Sequence, residues 1–591
     1  MIRAFQWDLA RQIERLDWLL AQLPRYAEWG YQELYLHLED AVEYPSLPGV
    51  ARRGAYSHRQ LGRLVDTATR VGIKVVPIVN LLGHTQYLIK VPELRDLNEL
   101  RAADGSPLER GQICPVHPRT PAVAEKLLRD MAPFCTAGKV HVGLDESFHV
   151  GQHPRSRREI ARIGRAAHFA RYVGRLRDLT AGLGLRMGLW ADMFYFLPEA
   201  IPLLPRDIAA YEWYYYPFNR RPRVELFNFA ESDVGGRLRA HGIEYWGCPM
   251  NGAFRYEPLP HFTDRLENIL SWWRHGRRTQ AAGFLVTSWE PNRLAVELTT
   301  VVDAAAASLW LNPGVDTPAA MLERGFARVF DRKSAGAAAR AALASDRFPF
   351  SGYPRWEINA RWDVVSQRES VRDYRVEENF FVRLARKAKR LPAPLRASLE
   401  FRHYLAARER FVRAGGEKPP LAAGLRAARE MWTRTRTGRG PNEAMLRTDA
   451  ARRRYEGWQL CYRVENFAPA AQLVAVEAQE LDGTWTALQA CHTIEFQARA
   501  AQPRGGLTRE HAAPVAWDGD PKNLPRLRMV LRGLGQVRIE AIALVRGRRT
   551  WRARTKKLVL GRPAPRRGWP ELDWTNNRAT REIEFDFAAV Q

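Results

Sequence analysis

The sequence predicts an α/β chain: a (β/α)8 TIM barrel over residues 1–315, a helical region over 316–450 and a β-sandwich over 451–591. Three observations predict it. A short apolar run followed by an amphipathic helical stretch recurs eight times in the first 315 or so residues, which suits a closed barrel better than an open sheet. Within those runs the side chains alternate between an oily face and a polar, aromatic one. Beyond residue 455 the periodicity turns to short strands separated by Gly, Pro and Asp clusters.

The barrel strands are expected at 3–7, 33–39, 74–80, 139–145, 186–192, 207–213, 244–249 and 283–289. In the second, Leu34, Leu36 and Leu38 oppose Tyr35, His37 and Glu39; in the fourth, Val140, Val142 and Leu144 oppose His141, Gly143 and Asp145. The fifth sets Met187, Leu189 and Ala191 against Gly188, Trp190 and Asp192. One face serves the helices, and the other becomes chemically loaded at the C-terminal end, where barrel enzymes place their sites. Gly182-Leu-Gly-Leu-Arg-Met-Gly188 precedes a strand instead of following one, so it reads as a turn and not a dinucleotide loop. The helical region is Ala- and Arg-rich, with loops at 415–416 and 438–441, and the Arg-rich stretch 434–439 reads as a solvated loop. Sandwich strands are expected at 459–464, 472–478, 526–531 and 536–545.

Composition is that of ordinary globular protein, with 46% hydrophobic and 26% charged residues. Lys plus Arg number 91 against 65 Asp plus Glu, a formal charge of +26. The basic residues are spread along the chain, and the aromatics follow no nucleic-acid-binding pattern, so neither nucleic acid nor a membrane is expected as partner. The five cysteines are far apart and form no CxxC pair, and the 14 histidines show no ligand spacing. No metal and no cofactor is expected. The N-terminus lacks the apolar core of a signal peptide, and no run of about 18 apolar residues follows, which makes a cytoplasmic protein the expectation. A homodimer is left open.

The chemistry concentrates in Lys139-Val-His-Val-Gly-Leu-Asp-Glu146, a buried strand ending in two adjacent carboxylates. Neighbours in a regular strand point oppositely, so Asp145 and Glu146 can serve one ligand only where the pleat breaks. Held close, like charges favour one protonated member, giving an acid and a base-like partner. Gly83-His84 follows the third strand, from which the imidazole can reach the mouth. Trp190-Ala-Asp192 ends the fifth, Tyr211-Glu-Trp-Tyr-Tyr-Tyr216 the sixth and Ser288-Trp-Glu290 the eighth. Aromatic rings beside carboxylates suit sugars, whose C–H faces pack on rings while their hydroxyls bind the acids.

These pieces, with Asp8-Leu-Ala-Arg11, His37-Leu-Glu-Asp-Ala-Val-Glu-Tyr44, Val76-Pro-Ile-Val-Asn-Leu-Leu-Gly-His84 and Gly283-Phe-Leu-Val-Thr-Ser-Trp-Glu290, make residues 1–310 resemble glycoside hydrolase family 20, the β-N-acetylhexosaminidases. The barrel begins almost at Met1, without the α+β domain that precedes it in many members. The resemblance implies a retaining, substrate-assisted mechanism on glycans ending in N-acetylglucosamine or N-acetylgalactosamine. Glu146 would be the general acid, and Asp145 would orient the 2-acetamido group as its oxygen attacks the anomeric carbon. Arg11 would bind hydroxyls of the terminal sugar. Trp190, Trp213 and Trp289 would wall the pocket, and a tyrosine of the 214–216 run, Tyr214 being the first, would donate to the acetamido oxygen. Glu39, His84, Asp192 and Glu290 complete the expected substrate-binding set. The competing expectations are a non-catalytic glycan-binding protein and a glycosidase with an enzyme nucleophile at Asp192 or Glu290.

Overall fold

A computed structural model describes residues 1–348 apart from 103, 110, 219–232, 254–256 and 290. Beyond these it describes 365–366, the helices between 374 and 451 apart from 415–416, and strands with parts of their connections between 458 and 584. Eight parallel strands close a barrel in chain order: β1 Ile2–Asp8, β2 Glu33–His37, β3 Lys74–Ile78, β4 Lys139–His141, β5 Arg186–Trp190, β6 Ala209–Trp213, β7 Glu244–Cys248 and β8 Gly283–Val286. β1 extends one residue beyond its expected run at each end, the other seven lie within theirs, and six of those end earlier than expected. The most consequential difference is in β4, which stops at His141 instead of running on to Asp145.

The inward parity positions build the barrel interior in layers. At the N-terminal end Lys139 pairs with Glu33 at 2.8 Å and lies 4.6 Å over the Trp246 ring, while Arg186 pairs with Glu244. Above them the Tyr35 and Tyr211 hydroxyls meet at 2.7 Å, and Trp246 packs against both rings. Trp246 needs the room that Gly283 leaves, since a Cβ there would come within 2.0 Å of the indole. His37, His141 and Trp190 form the next layer, toward the mouth. The opposite parity set, including Leu34, Leu36, Val140, Val142, Met187 and Leu189, is fully buried beneath the helices. Helix starts follow local rules, as where Ser57 and Gln60 form a reciprocal capping box before His58–Arg70.

Helices continue beyond the barrel, among them Pro318–Val329, Arg332–Ser345, Ala393–Ala414, Leu421–Thr433 and Pro441–Ala451. The C-terminal strands form two antiparallel sheets. The four expected strands are present as Trp458–Asn466, Ala471–Gln479, Leu527–Gly533 and Gln536–Arg546. Val365–Ser366, inside the stretch expected to be helical, pairs with Leu507–Val515 and so adds to one sheet. Among the described residues no helix is long and apolar enough to cross a membrane, and no group of three or more His, Cys, Asp or Glu could hold a metal. Cys114, Cys135, Cys248 and Cys461 are free thiols; the side chain of Cys491 lies outside the described residues.

Candidate active site

The break in β4 is what gathers the carboxylates. After His141 the chain enters left-handed backbone at Gly143 (φ 71°), Leu144 (φ 77°) and Glu146 (φ 47°). Glu39 and His84, just beyond β2 and β3, also have positive φ, so the strained non-glycine backbone of the barrel concentrates at its C-terminal mouth. This coiling defeats the alternation of a regular strand. Asp145 and Glu146 both face one imidazole: His84 Nε2 lies 3.3 Å from Asp145 Oδ2 and 3.2 Å from Glu146 Oε2. The loops after β3 and β4 approach at backbone distance, where a Cβ on Gly83 would fall 1.7 Å from the Asp145 carbonyl oxygen. The Gly83 N–H is bound by Ser147 Oγ at 3.1 Å. Glycine before His84 is thus a packing requirement.

Three carboxylates share this corner with different charge. Burial works against the ionised Asp145, but the neighbouring charges of His84 and His37 outweigh it and hold the carboxyl below its ordinary range. Asp192, 1% exposed, is pushed well above the usual range by burial and by the negative charge of Asp145; its Oδ2 accepts the Glu146 backbone N–H at 2.8 Å. Burial lowers His84, yet the two carboxylates outweigh it and keep the imidazole protonated. The cluster thus favours the ionised form of Asp145, the cationic form of His84 and the protonated form of Asp192. The second Asp145 oxygen, the second Asp192 oxygen and Trp289 Nε1 are buried without a partner among the described residues, the state of groups that a polar ligand completes.

A second network lies alongside. Arg11 Nη1 donates to Glu39 Oε2 at 2.8 Å, and Asn80 Nδ2 reaches Glu39 Oε1 at 3.2 Å. His37 donates to Asp8 at 2.9 Å and lies 3.3 Å from Glu39 Oε1. Burial opposes ionisation of Glu39, but Arg11 and His37 outweigh it and hold the carboxyl far below the usual range. Burial likewise opposes the His37 cation, but Asp8 and Glu39 prevail and raise it to about 9. His141, with no such partner, is pushed by burial down to about 3 and stays neutral, its Nδ1 accepting the Gly143 N–H.

Aromatic rings line the same mouth. Trp190 packs on His141 at 4.3 Å and on Trp289 at 5.5 Å, and Trp289 reaches His37 at 5.2 Å. Trp213 stacks on Tyr215 at 5.0 Å. Tyr214 does not join them. It is 1% exposed, its ring packs with Tyr216 and Phe218, and its carbonyl accepts from Asn268 and Trp272 of the helix Phe262–Arg278. The reason is parity: Tyr211 and Trp213 point inward, so 214 turns to the helix layer and 215 follows the mouth. Arg11, Glu39, His84, Trp190, Asp192 and Trp289 therefore lie with Asp145 and Glu146, Tyr214 lies beneath, and Glu290 lies outside the described residues. Asp8, His37 and Asn80 were missed as site residues, although their inward parity at strand ends was the signal that could have found them.

The His37 cation carries a stability prediction. A histidine raised in the fold contributes stability that is complete below its unfolded value near 6.5 and is lost as pH rises through about 9. The loss expected from His37 is roughly 3 kcal/mol. Urea midpoints taken between pH 6 and 10 should fall less steeply in His37→Gln than in the parent; equal slopes would refute the assignment.

Residues 3–215 match the family described as "Glycosyl hydrolase family 20, catalytic domain". The chain is 22% identical over 312 residues to human Hexosaminidase D, a match that spans 49% of this chain and 60% of that protein. The chain thus covers less than two thirds of its curated relative. Solved structures with similar chains include a family 20 exo-β-N-acetylglucosaminidase from Vibrio harveyi (16% identity, TM-score 0.42, 57% of this chain and 58% of that one). Others are a Flavobacterium johnsoniae chitobiase (13%, 0.43, 76% and 77%) and a β-N-acetylhexosaminidase from Streptomyces coelicolor A3(2) (16%, 0.40, 57% and 69%).

Proposed function

We propose that this barrel hydrolyses terminal, non-reducing β-linked N-acetylhexosaminides with retention, using the substrate's own acetamido group as nucleophile. The observation that carries the reading is the single imidazole of His84 facing both Asp145 and Glu146 at the mouth. Glu146 protonates the glycosidic oxygen while the acetamido carbonyl oxygen attacks C1 and the C1–O bond to the leaving group breaks. Asp145, ionised and buried, accepts the amide N–H and balances the charge of the oxazolinium that forms. Water then attacks C1, Glu146 takes its proton, and the acetamide is restored. Arg11 and Glu39 bind ring hydroxyls, and Trp190, Trp213 and Trp289 wall the sugar. The family match over 3–215 and the name of the human relative support a hexosaminidase reading.

Asp192 is a poor alternative nucleophile, because burial and the charge of Asp145 disfavour its ionised form. A screen of p-nitrophenyl N-acetyl-β-glucosaminide and galactosaminide tests turnover and sugar choice together, and a thiazoline mimic of the oxazolinium should inhibit tightly. Turnover insensitive to the thiazoline would point to an enzyme nucleophile; sugar binding without turnover would point to a lectin-like protein.

We assign the acetamido-oxygen donor to Tyr215, which shares the face of Trp213. Tyr215→Phe should lower kcat/KM by about tenfold or more, and Tyr214→Phe should leave it nearly unchanged. The reverse order of effects would overturn the assignment.

A further inference from the structure

The stretch expected to be a solvated Arg-rich loop is instead sunk into the rim of the barrel. The Arg436 side chain is fully buried, with its Nε 2.7 Å from Glu14 Oε1. Its two remaining nitrogens donate to the Leu294 carbonyl at 2.9 Å and the Pro291 carbonyl at 3.1 Å, and Trp432 covers the guanidinium at 4.6 Å. The backbone follows: residues 14 and 436 form an antiparallel bridge, and the Arg15 N–H donates to the Thr435 carbonyl at 2.8 Å. Asn442 exchanges hydrogen bonds with Arg293 nearby, at 3.0 and 3.2 Å.

Glu14 stands three residues after Arg11, and Pro291 two after Trp289. One side chain from beyond the barrel therefore ties the loop after β1 to the loop after β8, the two loops that carry a sugar-binding guanidinium and a wall of the pocket. The interactions of Arg436 among the described residues do not include His84, Asp145 or Glu146. The family match ends at residue 215, so Arg436 and the β8 loop lie outside the matched segment while Glu14 lies within it. We infer that Arg436 is a positioning residue: the helical region clamps the first and last rim loops of the closed barrel so that Arg11 and Trp289 meet one sugar ring. This rests on the hydrolase reading above. A planar fork serving one carboxylate and two carbonyls fits arginine and not lysine, which is a compact donor on a flexible stem.

The loss expected is in ground-state binding, because the reacting groups are held elsewhere. In the full-length chain, Arg436→Ala should raise KM for the aryl N-acetylhexosaminide by at least about tenfold while kcat stays within about threefold. Glu14→Gln should move KM the same way, and Arg436→Lys should fall between Arg436→Ala and the parent. Arg328→Ala is the control, since Arg328 fastens Pro318–Val329 to Ala304, Ser308 and Asn312. It should lower Tm and leave KM alone. Hydrogen exchange without substrate supplies a readout independent of turnover: amides of 9–15 and 291–297 should exchange faster in Arg436→Ala while those of 139–146 do not. An unchanged KM in an active Arg436→Ala variant, a kcat loss shared with Arg328→Ala, or unaltered exchange at both loops would overturn the inference. If the parent enzyme turns over no substrate, the hydrolase reading falls and the exchange result still decides the clamp.

Discussion

Glu146→Gln is expected to lose at least about a hundredfold in kcat/KM on p-nitrophenyl N-acetylhexosaminides, with Tm close to that of the parent. Glu146 is the partly exposed member of the carboxylate cluster, its side chain 36% exposed and 3.2 Å from His84, so the amide can occupy the same space. What it cannot do is deliver a proton. The loss should therefore grow as the leaving group becomes more basic, because nitrophenolate departs with little protonation and a sugar alkoxide does not. Stopped assays on a nitrophenyl substrate and on a disaccharide measure the contrast. Equal losses on both, or undiminished activity on either, would remove Glu146 from the acid role.

The second large effect is a contrast between two aspartates. Asp145→Asn should cost about a thousandfold in kcat, since the buried carboxylate beside His84 both accepts the amide N–H and neutralises positive charge on the ring that forms. Asp192→Asn should stay within about tenfold of the parent. Burial and Asp145 already disfavour ionised Asp192, and an asparagine there keeps a carbonyl oxygen for the Glu146 N–H while its amide can donate toward Asp145. Thiazoline inhibition should weaken with Asp145→Asn and persist with Asp192→Asn. A severe Asp192→Asn defect would mean that Asp192 acts ionised, and would favour the enzyme-nucleophile mechanism.

Period-two alternation in short apolar runs was enough to find all eight barrel strands and to assign Tyr35, His37, His141 and Trp190 to the inside. The same alternation, carried past the end of β6, separates Tyr215 from Tyr214. Arg436 was read as solvated because an Arg-rich run between helices has no local signature of burial. Its carboxylate partner is 422 residues away in sequence.

The number and facing of the barrel strands and the adjacency of Asp145 and Glu146 follow from short-range periodicity and covalent order, and are legible residue by residue. Three features arise only on folding: the chain coils after His141 so that two neighbouring acids face one imidazole, the surroundings favour charge on Asp145 and disfavour it on Asp192, and an arginine from the helical region ties the rim loops. Each of these depends on desolvation and on partners distant in sequence, and such free energies are set by the packed surroundings.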